Sequence, residues 1–300
     1  MVDHRPTVSV VMPFAGSDAD ARRALVALVR IRLAPGDELV VADNTRRGLM
    51  SAAAGSSSVR VVPTGTERSS YHARNCGAQE ARGEWLLFID SDCLPEPDIV
   101  ERYFIRAPAP DEGALAGEID GDPRQRSLTA RYTVTRGYMS QAHLVYDRDR
   151  PYAITANLLV RRAAWDSVGG FLEGVRSGGD TDFCWRLQAA GWRLGYRPAA
   201  RVVHHNRESL RAFVRVMGRY AAGRAWLRRR YPGAFPDHPR PGPRAMASAA
   251  LASARWLRRG DREQAAFSAL DMVVAAVDLV YERLPNRPAG GRAPRKPRWS

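Results

Sequence analysis

Trp85-Leu86-Leu87-Phe88-Ile89-Asp90-Ser91-Asp92 is the stretch of the sequence that decides the fold. Its first five residues are apolar, which is typical of a parallel strand covered on both faces of a sheet. The run passes directly into Asp90-Ser91-Asp92, so two carboxylates would stand just beyond the carboxyl end of a buried strand. Ligands of open α/β sheets bind beyond that end of the strands. The triplet is therefore the first candidate for chemistry.

Short apolar runs alternate with helical patterns on the amino-terminal side of this strand. Strands are predicted at 8–12, 38–42 and 59–62, and helices at 18–32 and 71–82. This β-α-β-α order predicts an α/β fold with an open sheet. Asp43 directly follows the second of these strands, so we expect it at the same edge of the sheet as Asp90.

Mixed patterns follow on the carboxyl-terminal side. A strand is predicted at 156–160, helices at 162–168 and 180–190, and two short strands at 193–196 and 201–203. A longer helix begins after Ser209, a residue type favoured at helix N-caps. These patterns predict one folded domain over 1–230 with a helical extension. The extension comprises a linker rich in Pro and Arg with a short helix (231–262), an amphipathic helix (263–284) and a disordered basic tail (285–300).

The chain has a net charge of +14, and its 46 basic residues are all arginines except Lys296. The positive charge is concentrated at 207–230 and 292–298, and such patches attract nucleic acid, anionic lipid or phosphorylated ligands. No nucleic-acid-binding motif accompanies them, so nucleic acid is not an expected partner. A basic amphipathic helix favours peripheral contact with an anionic membrane instead. Three arginines share one face of the helix predicted after residue 209: Arg211, Arg215 and Arg219.

The sequence holds three cysteines: Cys76, Cys93 and Cys184. They show no spacing typical of a zinc site or a disulfide framework, which predicts a reducing, cytoplasmic location. The most apolar long segment, 265–281, contains Asp271 and Asp278, whose burial in lipid would be costly. We therefore interpret that segment as an amphipathic helix that does not span a membrane. The expected location is the cytoplasm, including a peripheral position at the inner face of the membrane.

The carboxylates of Asp90 and Asp92 are hard oxygen ligands at the expected ligand-binding edge. Proteins hold Mg²⁺ and Mn²⁺ with few carboxylates, together with water and substrate phosphate oxygens. Such a cation would neutralise the charge that builds up on a diphosphate leaving group. The triplet thus indicates a site for Mn²⁺ or Mg²⁺. The alternative is an acidic turn that caps a helix after Pro95.

A series of short motifs runs along the chain in a fixed order. The motifs lie at 6–13, 40–44, 73–77, 81–85, 88–92, 155–162, 169–171, 178–187, 191–192 and 202–205. In content and order the series resembles family 2 glycosyltransferases. The resemblance implies the GT-A fold, with a mixed, mainly parallel central sheet flanked by helices. The resemblance covers roughly residues 6–210 and implies a GT-A glycosyltransferase domain over 1–230. It implies metal-dependent, inverting transfer of a sugar from a UDP-, GDP- or dTDP-sugar to an acceptor hydroxyl on a glycan, lipid-linked or small molecule.

The resemblance also assigns donor and metal roles. On the donor side it implies contacts from five residues: Pro13, Asp43, Arg74, Asp90 and Ser91. Asp43 would hydrogen-bond the nucleobase, and the guanidinium of Arg74 would lie near the phosphates, where a fixed cation suits an anion. Asp92 would be the direct metal ligand, and His204 would contact the metal or the diphosphate. His205 would point the other way if the backbone there is extended.

The general base implied by the resemblance is Asp180. In an inverting reaction the base removes the proton of the acceptor hydroxyl as its oxygen attacks the anomeric carbon. Asp182 is expected to cap the helix or to pair with an arginine. The chain departs from the family at Gly179, where most members have a glutamate, and this change could alter acceptor contacts or the pKa of the base. Acceptor contacts are expected at three positions: Asn157, Gly179 and Trp185.

Other classes of protein fit the sequence less well. A dinucleotide-binding dehydrogenase needs a glycine-rich turn after the first strand, and the turn after Pro13 supplies only Gly16. A P-loop is excluded because the only lysine, Lys296, lies in the tail. Two alternatives stay open. One is a nucleotidyltransferase, which also uses acidic pairs on an α/β sheet, and the other is a non-catalytic basic protein that binds a partner through its arginines.

Overall fold

The computed structural model of the chain describes residues 5–55, 57–65, 67–235 and 242–288. Part of the predicted linker (236–241) and most of the tail predicted to be disordered (289–300) lie outside the described residues. The chain divides into two compact units. The first contains the described residues of 1–120, 139–204 and 287–300, and the second contains those of 121–138 and 205–286.

The first unit is built on a mixed β-sheet. The strands found in the described residues are β1 (Val8–Phe14), β2 (Glu38–Asp43), β3 (Val59–Pro63), β4 (Trp85–Ile89), β5 (Cys93–Pro95), β6 (Glu112–Gly121), β7 (Asn157–Arg161) and β8 (Arg193–His204). Their order across the sheet is β3-β2-β1-β4-β7-β6-β8-β5. The half β3-β2-β1-β4 is parallel, whereas β7 pairs antiparallel with β4 and β6, and β5 pairs antiparallel with β8. The predicted α/β class with a mixed central sheet is confirmed.

Eleven helices accompany these strands in the described residues. In chain order they are α1 (Asp18–Val29), α2 (Leu49–Ala54), α3 (Ser70–Glu80), α4 (Ile99–Tyr103), α5 (Leu128–Thr135), α6 (Gln141–Tyr146), α7 (Arg162–Val168), α8 (Gly179–Ala189), α9 (Leu210–Arg230), α10 (Pro243–Arg258) and α11 (Arg262–Tyr281). Helices α5, α9, α10 and α11 belong to the second unit.

The centre of the first unit explains where a ligand can bind. All five residues of β4 are buried, because this strand lies between β1 and β7. Helix α3 packs against β1 at Gly77, where a Cβ would lie 2.8 Å from a methyl group of Val11. Since α3 connects the carboxyl end of β3 to the amino end of β4, its first turn lies at the carboxyl edge of the parallel strands. Side chains from α3 and from the segment after β4 therefore meet at that edge.

Two parts of the sheet differ from the prediction. The residues predicted as two short strands around Pro198 form the single strand β8, because the fixed φ of proline is compatible with extended backbone. Strands β5 and β6 were not predicted. The three residues of β5 are too few to show a period, and β6 is nearly continuously buried, so its pattern lacks the alternation of a half-exposed strand.

The second unit has its own helical core. Six buried side chains form that core: Tyr132, Phe213, Met217, Phe267, Leu270 and Val277. Helix α11 is, within the described residues, long and apolar enough by length and composition to cross a membrane. Its carboxylates are nevertheless paired inside the unit, since Asp271 accepts hydrogen bonds from Tyr132 and Arg136 and Asp278 from Arg224. Of the most apolar stretch of α11, 33% is buried in the structure.

Candidate active site

The acidic triplet lies directly after β4, as predicted. The residue that follows it, Cys93, begins β5, and β5 pairs with β8 so that Cys93 lies opposite His204. This register brings the two predicted metal ligands together, with Oδ1 of Asp92 lying 3.6 Å from Nε2 of His204. Both side chains are partly accessible to solvent, so a ligand can reach them. Ser91, between Asp90 and Asp92, is half-buried in the turn that follows β4.

The pair of Asp92 and His204 fits an open metal site. In the part of the chain that the structure describes, no group of three His, Cys, Asp or Glu side chains is placed to hold a metal ion. The pair would therefore supply two protein ligands at most. Mg²⁺ and Mn²⁺ that work on phosphates use one or two carboxylates and take the remaining ligands from phosphate oxygens and water. The imidazole nitrogen favours Mn²⁺, a transition metal, over the harder Mg²⁺.

Arg74 forms a buried ion pair with Asp90. One terminal nitrogen of its guanidinium, on α3, donates to Oδ1 of Asp90, and its Nε has no hydrogen-bond partner within the described residues. Burial lowers the pKa of Arg74, but the charges of Asp90, Tyr71 and Asp180, together with the hydrogen bond to Asp90, outweigh burial and raise it. The side chain of Arg74 is almost fully buried, whereas that of Asp90 is partly exposed to solvent. Its predicted role near the donor phosphates would be exerted through that carboxylate.

Asp180 lies in the first turn of α8, where the resemblance placed the general base. Burial raises the pKa of its carboxyl, and the nearby positive charge of Arg74 opposes this effect. Two donors reach its Oδ1: the hydroxyl of Tyr71 at 3.4 Å and the backbone N–H of Thr181 at 3.0 Å. Asp180, Tyr71, Arg74 and Asp90 thus form a continuous series of contacts at the carboxyl edge of the sheet.

Gly179 is covered by the ring of Tyr71. A Cβ at residue 179 would lie 2.8 Å from two atoms of that ring. The ring is itself held in place, because it packs on Phe171 with 5.6 Å between ring centroids and carries the guanidinium of Arg74 on its face. The acceptor contact predicted at Gly179 stays a prediction, and the sequence did not single out Tyr71, which covers this glycine.

Asp43 and Pro13 are buried at the ends of β2 and β1. The carboxylate of Asp43 accepts hydrogen bonds from the backbone N–H and the hydroxyl of Thr45 at 2.9 and 2.7 Å, and from the backbone N–H of Met50 at 2.8 Å. Asp43 thus holds the loop between β2 and α2 in this structure. Its contact with a nucleobase, and the donor contact of Pro13, stay predictions.

Asn157 and Trp185, the other two residues predicted to contact an acceptor, lie in the core. Asn157 is fully buried; its amide donates to the carbonyls of Glu118 and Ala200, and its oxygen accepts from the hydroxyl of Tyr103. A polar side chain buried in a sheet must be paired in this way. Trp185 is also buried, and its indole N–H donates to a backbone carbonyl at 3.2 Å. Neither side chain is exposed to an acceptor.

A buried polar group supports the loop that precedes α8, and sequence reasoning missed it. Asn75 donates to the carbonyl of Phe171 at 2.9 Å and to Glu173 at 3.0 Å, and it accepts from the N–H of Phe171. His72 contacts the same carboxylate at 3.0 Å, and its hydrogen bonds to Cys76 and Glu173 raise its pKa to about 10. The motif at 73–77 contained Asn75, but no local pattern indicated its partner.

The remaining two residues named from the sequence have structural partners. Asp182 pairs with Arg186 at 2.8 Å, as predicted, and is fully buried. His205 lies in the second unit, where its Nδ1 is 3.4 Å from Asp122. The structure therefore groups Asp90, Asp92 and His204 with one another and gives His205 a different environment.

Comparison with known proteins gives one family. A family model described as glycosyltransferase-like family 2 matches residues 5–223. A pre-mycofactocin glycosyltransferase of Mycobacterium tuberculosis is 28% identical over 231 residues, which cover 75% of this chain and 48% of that protein. Glycosyltransferase AglE of Haloferax volcanii is 25% identical over 203 residues, covering 65% of this chain and 66% of that protein. The chain thus spans about half the length of the mycobacterial relative.

A solved structure shows the fold. The mannosyltransferase PcManGT from Pyrobaculum calidifontis, in complex with GDP-Man and Mn²⁺, superimposes with a TM-score of 0.64 at 18% sequence identity. The superposition covers 92% of this chain and 88% of that chain. At this level of identity the likeness concerns the fold, and it confirms the predicted GT-A fold class.

Proposed function

Since the chain belongs to glycosyltransferase-like family 2, we propose that it transfers a sugar from a nucleotide-diphosphate donor to an acceptor hydroxyl, with inversion at the anomeric carbon. The observation that carries this proposal is the pairing of Asp92 with His204 at one sheet edge, where Asp90 also leads through Arg74 and Tyr71 to Asp180. The residues that bind the donor and the general base would thus lie next to each other in one site. The GDP-Man and Mn²⁺ bound by PcManGT support a donor and metal of this class.

The donor half would be formed by the triplet and His204. Asp92 and His204 would hold Mn²⁺ or Mg²⁺, which when bound would supply positive charge to the diphosphate leaving group. Asp90 would lie beside the donor with its charge balanced by Arg74. Because that ion pair is mostly buried, it keeps the triplet in one orientation before a donor arrives.

The acceptor half would be formed by Asp180. In its ionised form the carboxylate takes the proton of the acceptor hydroxyl, and the oxygen so activated attacks the anomeric carbon opposite the leaving diphosphate. The raised pKa of Asp180 makes the carboxylate a stronger base than an exposed aspartate. The acid limb of the pH–rate profile is therefore expected above the usual range of aspartate.

The experiment that tests this function is a donor panel. Purified protein is incubated with UDP-, GDP- and dTDP-sugars in Mn²⁺ or in EDTA, and release of nucleoside diphosphate is measured. We expect release from at least one donor in Mn²⁺ and none in EDTA. Failure of every donor to bind or react in Mn²⁺ would contradict the proposal and favour the non-catalytic alternative. Release of pyrophosphate from nucleoside triphosphate and sugar phosphate would favour a nucleotidyltransferase.

For the second unit we propose peripheral contact with an anionic membrane. The enzyme would be cytoplasmic and would bind the inner face of the cell membrane. Arg211 and Arg215 are exposed on α9, and within the described residues neither they nor Arg219 form an ion pair. Helix α10 carries arginines and exposed leucines, Leu251 and Leu257, but no carboxylate. Exposed cations beside apolar side chains suit a surface of anionic lipid.

Co-sedimentation with vesicles tests this contact. Replacing Arg211, Arg215 and Arg219 together by Gln is expected to weaken binding to vesicles rich in phosphatidylserine by roughly 100-fold, since each arginine near an anionic surface contributes about 1 kcal/mol. The matched control replaces three exposed arginines of the first unit, Arg22, Arg30 and Arg47, by Gln. Equal loss in both triple variants, or no dependence on anionic lipid, would contradict the contact.

A further inference from the structure

The resemblance to family 2 glycosyltransferases implies a glutamate at the position of Gly179, and the structure shows which side chain fills the space beside this glycine. The ring of Tyr71 occupies it, at 2.8 Å from where a Cβ would stand. Tyr71 is itself buried and cannot readily move aside, because Phe171 packs against one part of its ring and Arg74 against its face. With Tyr71 in this place, glycine is the residue that fits at 179.

The hydroxyl of Tyr71 is also directed at the base. It donates to Oδ1 of Asp180 at 3.4 Å, and the backbone N–H of Thr181 donates to the same oxygen. The hydrogen bonds from Tyr71 and Thr181 both go to Oδ1. We therefore expect Oδ2 to be the oxygen that takes the proton of an acceptor hydroxyl.

We propose that Tyr71 positions Asp180 in this chain, in the place of the missing glutamate, and that Tyr71 and Gly179 act as one coupled pair. The proposal rests on the proposed role of Asp180 as general base. Tyr71 is a positioning residue: it fixes which carboxylate oxygen faces the acceptor and takes no part in proton transfer.

The electrostatics of the pair agree with this role. Burial and the charge of Asp180 raise the pKa of Tyr71, so the phenol remains a neutral donor at every working pH. A hydrogen bond donated to a carboxylate favours the ionised form and lowers its pKa. The hydrogen bond from Tyr71 is therefore expected to offset part of the rise in pKa that burial imposes on Asp180. Loss of the hydroxyl should raise that pKa further.

The first test is Tyr71→Phe, which keeps the ring and removes the hydroxyl. We expect kcat to fall about 10-fold, KM for the donor to change less than about twofold, and the acid limb of kcat to move upward by about one pH unit. Tyr146→Phe is the matched control, because Tyr146 is an exposed tyrosine of the same unit. Wild-type kcat and an unmoved acid limb in Tyr71→Phe would overturn the proposal.

The second test asks whether residues 71 and 179 are coupled, and it needs no activity. Gly179→Ala should lower the free energy of unfolding of the wild type and do so much less in a Tyr71→Ala background, where the ring no longer blocks the Cβ. Additive effects would overturn the coupling. In turnover assays, the double variant Tyr71→Ala with Gly179→Glu should be more active than Tyr71→Ala alone. Equal activity of the two variants would contradict the proposal that Tyr71 takes the place of a glutamate at position 179.

These outcomes separate this proposal from the proposed function. If the wild-type protein turns over no donor, the function fails, whereas the unfolding cycle still tests the pair. If the wild type is active and Tyr71→Phe behaves as the wild type does, the positioning role alone fails.

Discussion

Asp180→Asn is expected to reduce kcat by about 10³-fold while it changes the affinity for the donor less than about twofold. The amide keeps the size of the carboxylate and can still accept the hydrogen bonds of Tyr71 and Thr181 at its oxygen. It cannot take a proton from the acceptor hydroxyl, so the attack loses its base. The measurement is the rate of sugar transfer or nucleoside diphosphate release at saturating donor.

Asp182→Asn is the matched control for this variant. Asp182 lies two residues further along α8, but its carboxylate is buried in an ion pair with Arg186. We expect the control to lower the melting temperature and to leave kcat of the folded protein within a few-fold of the wild type. A smaller loss of kcat in Asp180→Asn than in Asp182→Asn would show that Asp180 is not the base.

Asp92→Ala is expected to weaken donor binding in Mn²⁺ by about 100-fold or more. A metal held by Asp92 and His204 would contribute several kcal/mol to binding of a diphosphate, and one of its two protein ligands would be lost. The measurement is the rise in melting temperature that donor and Mn²⁺ produce together, because a ligand of the folded state raises it according to its affinity.

An exposed carboxylate of the same unit provides the control for Asp92→Ala. Asp147 lies on the surface beside His143, and Asp147→Ala should keep the full rise in melting temperature. The rise should also vanish in EDTA for the wild type. An equal rise for Asp92→Ala and for the wild type would mean that the metal is held elsewhere or that none is needed.

The part of the fold that local patterns describe could be predicted from the sequence. The apolar run of β4 and the alternation before it predicted an α/β sheet, and the strand ends correctly placed Asp43 and Asp90 at its carboxyl edge. The burial of Asn157 has a physical reason that the sequence did not indicate. Its strand lies between β4 and β6, and a polar side chain at that position is buried and paired. A sequence shows a polar residue but not its partners.

The assembly of the site depended on pairings that no local pattern contains. Asp92 and His204 meet because the three residues of β5 pair with the end of β8, in a register that places Cys93 opposite His204. Tyr71 reaches Asp180 across more than one hundred residues of sequence. The one signal for that contact was Gly179, a departure from the family that the sequence identified but could not explain. Close packing of an aromatic ring against a glycine becomes visible in three dimensions.

The two halves of the proposed site can be separated by a calorimetric titration of one donor, chosen from the panel, into three proteins in Mn²⁺. The account predicts that the wild type and Asp180→Asn bind the donor with affinities within about twofold of each other, and that Asp92→Ala binds it about 100-fold more weakly or not at all. Binding by Asp92→Ala that equals the wild type, or loss of binding in Asp180→Asn, would contradict the division of this site into a metal-dependent donor half and a catalytic base.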